Sequence, residues 1–324
     1  MFSLGFFRIF GVNAKVISVG NLTVGGSGKT PMVVYLTQLL KQRGINVGVL
    51  SRGYGRKSKG YLLVSDGQNI KTNVSNSGDE MFLTALECQV PAAVCEDRVT
   101  GANRLINDTG VDAIVLDDAF QHRRIHRDID IVMFDQSFFT EKTLSNSLML
   151  PTGDLREGMS SVSRAHIVVI NRKFSEFKNI SHNLPTLANQ KVFNSYYSVT
   201  SFTDVKSGTR YASEDFKDQK VVLLSGIANP ESFRQQVNSL GIVPVGELLF
   251  SDHNFYKPEQ IQQIRKVFYA TNASSVITTQ KDAVKLREFL TELDDIDLFS
   301  LNITMEFDEK EAFEKLIFSK LSYN

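Results

Sequence analysis

The chain predicts an α/β fold, a parallel sheet with helices on both faces, and three observations carry that prediction. Short β-branched runs alternate with longer amphipathic stretches along most of its 324 residues, which is the pattern of strand–helix–strand units. Several of the short runs are apolar throughout, as strands buried on both faces are. One junction, "VISVGNLTVGGSGKTPMVVYL" (16–36), passes from an apolar run through a cluster of glycines into a run with helical spacing.

In order, the predicted strands are "KVISVG" (15–20), "NVGVLS" (46–51), "PAAVCE" (91–96), "DAIVLDD" (112–118), "IDIVMFD" (129–135) and "AHIVVIN" (165–171). Helices fit between them at 31–43, 78–88 and 99–109. A second series begins near 219 with the strand "QKVVLLSGI", followed by the helix "PESFRQQVNSLG" and the strand "GIVPVGELLF". It continues with the helix "KPEQIQQIRKVFYATN" and the strand "SSVITTQ". The segment 172–218 is polar and weakly patterned, so the domain change falls around it.

The 36 basic and 36 acidic residues cancel, so a general attraction to nucleic acid is not supported and any polyanion must be held locally. Cys88 and Cys95 are the only cysteines; their spacing matches no metal motif and is too sparse for a disulfide framework, which suits a reducing cytoplasm. The start, "MFSLGFFRIFGV", is apolar apart from Arg8 and a few small residues. As a helix it would rise only about 18 Å against a hydrocarbon core of roughly 30 Å, and it lacks the marks of a secretory signal. It reads either as an edge element packed on the domain or as a short interfacial anchor with Phe2, Leu4, Phe6, Phe7 and Phe10 in lipid.

The glycine cluster explains the opening junction. "TVGGSGKT" (23–30), between a strand ending at Gly20 and a helix starting near Pro31, resembles a P-loop and makes the sheet P-loop NTPase-like. Thr23, Gly25, Gly26, Ser27, Gly28, Lys29 and Thr30 would wrap a phosphate with backbone N–H groups at a helix start. Lys29 would reach the β- and γ-phosphates and the Thr30 hydroxyl would ligate magnesium. Thr23 stands where the usual pattern begins with glycine.

Such a loop needs a carboxylate at a neighbouring strand end to hold Mg2+. Asp117 and Asp118 end one strand and Asp135 another; the paired acids, followed by "AFQHRR", form the denser polar cluster and are preferred. His122 and His126 have a metal-like spacing, but no cysteine or third histidine completes a zinc set. Ser77 and Glu80 have capping-box spacing, which puts Asp79 in the first turn of a helix, either as an ordinary first-turn acid or as a proton acceptor. His253, in "FSDHNFY", reads on its own as a hydrogen-bonded structural residue. "SRGYGRKSKG" (51–60) is either a solvated basic loop or a seat for an anion.

Taken together, "VGNLTVGGSGKTP", "LSRGYGR", "SGDE", "EDR", "LDDAFQHRR", "LPTGDLRE", "GIANPESF", "FSDHNFY" and "TTQKDAVKL" occur in order from about 16 to 286, and the set resembles the tetraacyldisaccharide 4'-kinase (lipid A 4'-kinase) family. The resemblance implies transfer of the ATP γ-phosphate to the 4'-hydroxyl of a tetraacyldisaccharide 1-phosphate, giving lipid IVA. It implies a protein peripheral to the cytoplasmic face of the inner membrane, with a lipid disaccharide as substrate and no required protein partner. It also implies two α/β/α domains around a cleft, here a P-loop domain over 1–160 with the short apolar start, and a second, smaller one over 161–324 closing over the active site.

Carried over by motif, the catalytic pair falls on Asp79 and His253, alongside Lys29; the metal residues are Thr30, Asp117, Asp118 and Glu157; and Tyr54, Arg98, Gln121 and His122 seat the disaccharide and its phosphate. The Thr23 departure is shared with the family. Three others are not: the apolar start is short, Gln280 replaces the glutamate usual in "TEKD", and Ala119 stands where glycine is common. The alternative is a P-loop ATPase or GTPase switch, or a metallochaperone, acting on a protein partner. Val24 stands where such ATPases carry a signature lysine, and "QKDA" (280–283) only loosely echoes a guanine-reading motif. A membrane-surface scaffold is a third and weaker reading.

Overall fold

A computed structural model describes residues 8–141, 148–180 and 190–322. Phe2, Leu4, Phe6 and Phe7 of the proposed anchor lie outside the described residues. Phe10 is half-buried and pairs with the segment after the acidic strand: its N–H donates to Arg124 O at 2.8 Å and its carbonyl accepts from His126 N at 2.8 Å. Phe10 is thus an edge element rather than part of an anchor.

Two compact units are formed, residues 1–197 with 305–324 and residues 198–304. The first contains β1 (Lys15–Asn21), α1 (Lys29–Gln42), β2 (Val47–Ser51), β3 (Leu62–Asp66), α2 (Val74–Ser77), α3 (Asp79–Cys88), β4 (Pro91–Val94), α4 (Arg98–Thr109) and β5 (Ala113–Asp117). It continues with β6 (Ile129–Asp135), α5 (Ser137–Thr140), β7 (Ile167–Asn171) and the first half of β8 (Lys191–Asp204). The second unit takes the rest of β8, then β9 (Arg210–Tyr211), β10 (Lys220–Ser225), α6 (Pro230–Ser239), β11 (Val243–Leu249), α7 (Pro258–Thr271), β12 (Ser275–Thr279) and α8 (Gln280–Leu286). The chain returns to the first unit along β13 (Leu298–Phe307) and ends in α9 (Lys310–Leu321).

In the first unit the strand order is β8-β7-β6-β1-β5-β2-β4-β3, parallel except for β3, which runs antiparallel to β4 at the edge. Strand alternation sends neighbouring side chains to opposite faces. Ile17 and Val19 therefore join a core with Met32, Leu36 and Leu40 of α1 and Met81 and Ala85 of α3. Val16 joins Leu50, Ala102 and Leu105 on the other face. Helices cover both faces, as the apolar strands require. In the second unit the order is β11-β10-β12-β13-β8, with β10 parallel to both β11 and β12, and β12 parallel to β13.

The division at Tyr197 departs from the expected 160/161 boundary. β7 pairs in parallel with β6, and the start of β8 pairs with β7, so both extend the first sheet. α9 belongs there too: Phe313 stacks on Phe307 with ring centroids 4.1 Å apart and meets Phe193 at 5.2 Å, while Glu314 accepts from the Tyr35 hydroxyl at 2.9 Å.

Candidate active site of the first unit, and a histidine cluster of the second

The site of the first unit lies at the C-terminal ends of β1 and β5, where Val19 is in register with Asp117. Gly20 brings them close: a Cβ there would sit 2.6 Å from Phe120 Cβ and 2.8 Å from Phe120 N. Any larger residue would have to displace Phe120, two residues after Asp118.

The loop from Thr23 to Gly28 is held from behind by its neighbours. Val24 N–H donates to Asp154 O at 2.8 Å and Arg156 N–H to Leu22 O at 2.6 Å. Ser27 is buried, with its Oγ accepting from Asn21 Nδ2 at 3.1 Å, whereas Val24, Gly25 and Gly26 are exposed. Gly28 has φ 95°, and a Cβ there would lie 2.3 Å from Asn171 Nδ2 and 2.6 Å from the Tyr197 hydroxyl. No side chain caps α1, so its first N–H groups face the loop rather than a cap. Such a helix start favours an anion. Lys29, its first residue, places Nζ 3.7 Å from Asp118 Oδ1. Thr30 follows, half-buried.

Asp117 and Asp118 differ sharply although they are neighbours. Asp117 is buried, and its carboxyl is pushed up to about 7 by burial first, then by Glu80 and Asp118, against Lys29 and Arg98. Among the described residues its Oδ1 has no hydrogen-bond partner. Asp118 has φ 47°. Burial raises its carboxyl, but Lys29 and Arg156 outweigh that and hold it below the usual carboxylate range. Arg156 Nη1 donates to both of its oxygens at 2.9 Å.

The other predicted residues divide. Asp79 opens α3, buried, with its Oδ1 accepting from Glu80 N at 3.0 Å. The expected capping box is absent: the helix starts on Gly78 at φ 84° without a side-chain cap, and Ser77 ends the preceding short helix α2. Gly78 lies so close to the basic loop that a Cβ would be 2.8 Å from Tyr54 O. The loop is fastened there by Lys57 N–H to Ser75 O at 2.8 Å and Ser58 Oγ to Asn76 O at 2.6 Å. The exposed Tyr54 ring and Asp79 thus belong to one locked corner.

Arg98 is buried and binds backbone: Cys95 O at 2.9 Å, Glu96 O at 3.3 Å and Asp117 O at 3.3 Å. It shapes the acidic corner instead of presenting a free guanidinium. His122 Nε2 accepts from Arg98 N at 3.3 Å, and burial followed by Arg98 holds its imidazole below the usual range. Gln121 donates to Asn21 O at 2.9 Å, tying this segment to β1. Glu157 accepts from Arg164 Nη2 at 2.7 Å, and its neighbour Arg156 in "LPTGDLRE" reaches Asp118. Among the described residues no three His, Cys, Asp or Glu converge as a metal cluster.

In the second unit His253 has φ 57° and its Nε2 lies 3.2 Å from Lys281 Nζ. Asp282 is fully buried, accepting from Gly226 N and Thr279 Oγ1 at 2.8 Å each and paired with Lys285 at 2.9 Å. That carboxylate serves the fold, so "QKDA" is no guanine reader. Gln280 Oε1 accepts from Ile303 N at 3.3 Å, which a neutral amide does as well as a carboxylate.

Sequence reasoning missed Arg156, Asn171, Tyr197 and Lys281. Arg156 and Lys281 left a signal, each sitting beside a residue already singled out.

A parallel sheet with a glycine loop entering an uncapped helix, a lysine at its first position and an acid on the adjacent strand is suited to holding an anion, and the family it matches gives the class as a kinase. The family described as Tetraacyldisaccharide-1-P 4'-kinase matches residues 1–322, and the chain belongs to it. It is 33% identical over 328 residues to a Tetraacyldisaccharide 4'-kinase of Desulfatibacillum aliphaticivorans, covering 99% of this chain and 87% of that protein. It is 37% identical over 292 residues to the Halothermothrix orenii protein of that name, covering 85% and 74%. The crystal structure of LpxK from Aquifex aeolicus in complex with ATP superposes with TM-score 0.78 at 30% identity, covering 98% of this chain and 92% of that one.

Proposed function

We propose that the protein phosphorylates the 4'-hydroxyl of a tetraacyldisaccharide 1-phosphate from ATP, yielding lipid IVA. The family match over residues 1–322 carries this reading, and the site's chemistry agrees with it. The loop from Thr23 to Thr30 would bind the triphosphate through backbone N–H groups, with Lys29 offsetting charge on the transferring phosphoryl group. The protein–partner switch loses support, because the relatives are named as kinases of this lipid and Asp282 is consumed by its own fold.

The acidic corner suits Mg2+. Asp117 Oδ1 is buried without a hydrogen-bond partner among the described residues, and the negative charges of Glu80 and Asp118 help to raise its carboxyl, which a cation would offset. Thr30, Asp117 and Asp118 would hold the ion, which when bound neutralises phosphate charge. Asp79 would accept the acceptor hydroxyl's proton, its ionised form favoured by the start of α3, and His253 would orient it. Tyr54 and Gln121 would contact the sugar, while Arg98 and His122 shape the floor beneath it. The lipid acceptor would place the protein peripherally at the cytoplasmic face of the inner membrane; among the described residues no helix is long and apolar enough to cross one.

The test is incubation with radiolabelled ATP and detergent-dispersed tetraacyldisaccharide 1-phosphate. Labelled lipid is expected, reduced about a thousandfold or more in Lys29→Met. Absence of labelled lipid from a protein that binds ATP would contradict the reading.

A further inference from the structure

The segments "FSDHNFY" and "QKDAVKL" meet within the second unit, around the ring of His253. Lys281 Nζ stands 3.2 Å from His253 Nε2 and 3.6 Å from Asp252 Oδ1. Asp252 Oδ1 also accepts the His253 backbone N–H at 3.0 Å, and its Oδ2 is 3.9 Å from Nε2. α8 presents Lys281 from a pinned start: Thr279 caps the helix by accepting from Asp282 N at 3.1 Å, and Asp282 is bonded to Gly226 and Lys285.

A lysine ammonium has three donors and no acceptor. Its contact with Nε2 is a hydrogen bond only when that nitrogen carries a lone pair, which leaves the proton of the neutral ring on Nδ1. We propose that Lys281 is a positioning residue for His253, fixing the Nδ1–H tautomer and opposing a second proton on the ring. Charges facing the ring include Lys281 from α8 and Asp252 from its own loop; Asp282 and Lys285 of α8 pair with each other. Lys281 Nζ, at 3.2 Å, is closer to Nε2 than the Asp252 carboxylate at 3.9 Å.

The catalytic use of this arrangement rests on the reading of His253 as the partner of Asp79. A neutral ring offering Nδ1–H can hold a carboxylate by one hydrogen bond and leave it ionised. A doubly protonated ring could surrender a proton to that carboxylate and remove its basicity.

The proposal is tested on the full chain, uniformly 15N-labelled, by ring-nitrogen NMR titration, with the His253 signals assigned by their loss in His253→Gln. The wild type is expected to show the Nδ1–H tautomer. Lys281→Met is expected to raise the ring's titration midpoint by about one pH unit, and Lys281→Arg to keep it within a few tenths. Asp252→Asn, which removes the opposing charge, is expected to lower it. The acid limb of kcat/KM for lipid phosphorylation is expected to move up with the ring in Lys281→Met, so that the loss is several-fold larger at pH 6 than at pH 8. An Nε2–H tautomer in the wild type, or a midpoint unmoved in Lys281→Met, overturns the assignment. Wild-type turnover by His253→Ala overturns the catalytic use while leaving the ring signals to decide the tautomer, so the two failures are distinguishable.

Discussion

Helix starts in the first unit are built in two opposite ways. α4 begins with Asp97, whose side chain accepts from Thr100 N at 2.9 Å, and α2 begins with Asn73 in the same manner. α1 and α3 begin on Gly28 and Gly78, at φ 95° and 84°, and no side chain caps either. A side-chain cap contributes about 1 kcal/mol. The helices that carry Lys29 and Asp79 forgo it, as α5 and α9 do, and in α3 the Glu80 N–H is taken by Asp79 Oδ1. A similar contrast separates Asp118, held by Lys29 and Arg156, from Asp117, buried beside like charges. Asp118 is thus neutralised by its cationic neighbours, whereas Asp117 Oδ1 has no hydrogen-bond partner among the described residues.

The sharpest way to break this contrast is Asp117→Asn. Lipid phosphorylation is expected to fall at least a hundredfold, while the magnesium-free protein becomes more stable. Because the folded carboxyl is raised from 3.8 to about 7, folding favours its protonated form. The stability this brings is full below about pH 4 and is lost as pH rises through about 7, a change of a few kcal/mol at most. Thermal unfolding at several pH values should show that decline in the wild type, its reversal by Mg2+, and a flatter profile in the variant. An unchanged profile would mean that Asp117 is already neutralised by its neighbours.

Gly28→Ala comes next. The new Cβ meets Asn171 and Tyr197 in a backbone conformation that costs a side chain about 1–2 kcal/mol, so denaturation should show a loss of about 2 kcal/mol or more, with weakened ATP binding. Gly26→Ala, which meets no atom within 4 Å, should leave stability within about 0.5 kcal/mol of the wild type. Equal losses would show that the loop is held as a whole rather than at its last glycine. The smallest effect is expected of Asp97→Ala: about 1 kcal/mol of stability by denaturant titration, with kcat unchanged.

These contrasts bear on what was legible from residues alone. β1, β2, β4, β5, β6 and β7 were readable because each is an apolar run buried on both faces, and the glycine loop because it sits between a strand and a helix start. β8 was not: "KVFNSYYSVTSFTD" alternates small polar residues with aromatics, and its sides are mostly half-buried. β3 was missed as a short edge strand whose register slips between Leu63 and Ser65. With β8 and α9 unread, the division fell too early. At the candidate site, motifs alone single out Lys29, Thr30, Asp117 and Asp118, and the structure brings Lys29 to Asp118. Arg156 was masked by Glu157 next to it, and Lys281 by a motif noticed for Gln280. Asn171 and Tyr197 bear on the loop only through the tertiary fold, and no local pattern announces that.

The central claim is that the backbone between Gly25 and Thr30 receives the triphosphate against the acids of β5. A crystal structure with a non-hydrolysable ATP analogue and Mg2+ tests it most directly. The account predicts β- and γ-phosphate oxygens within hydrogen-bond reach of those N–H groups, Lys29 on the γ-phosphate and the metal on Asp117. An analogue bound elsewhere, with the Gly28 helix start empty and Asp117 still without a partner, would contradict it.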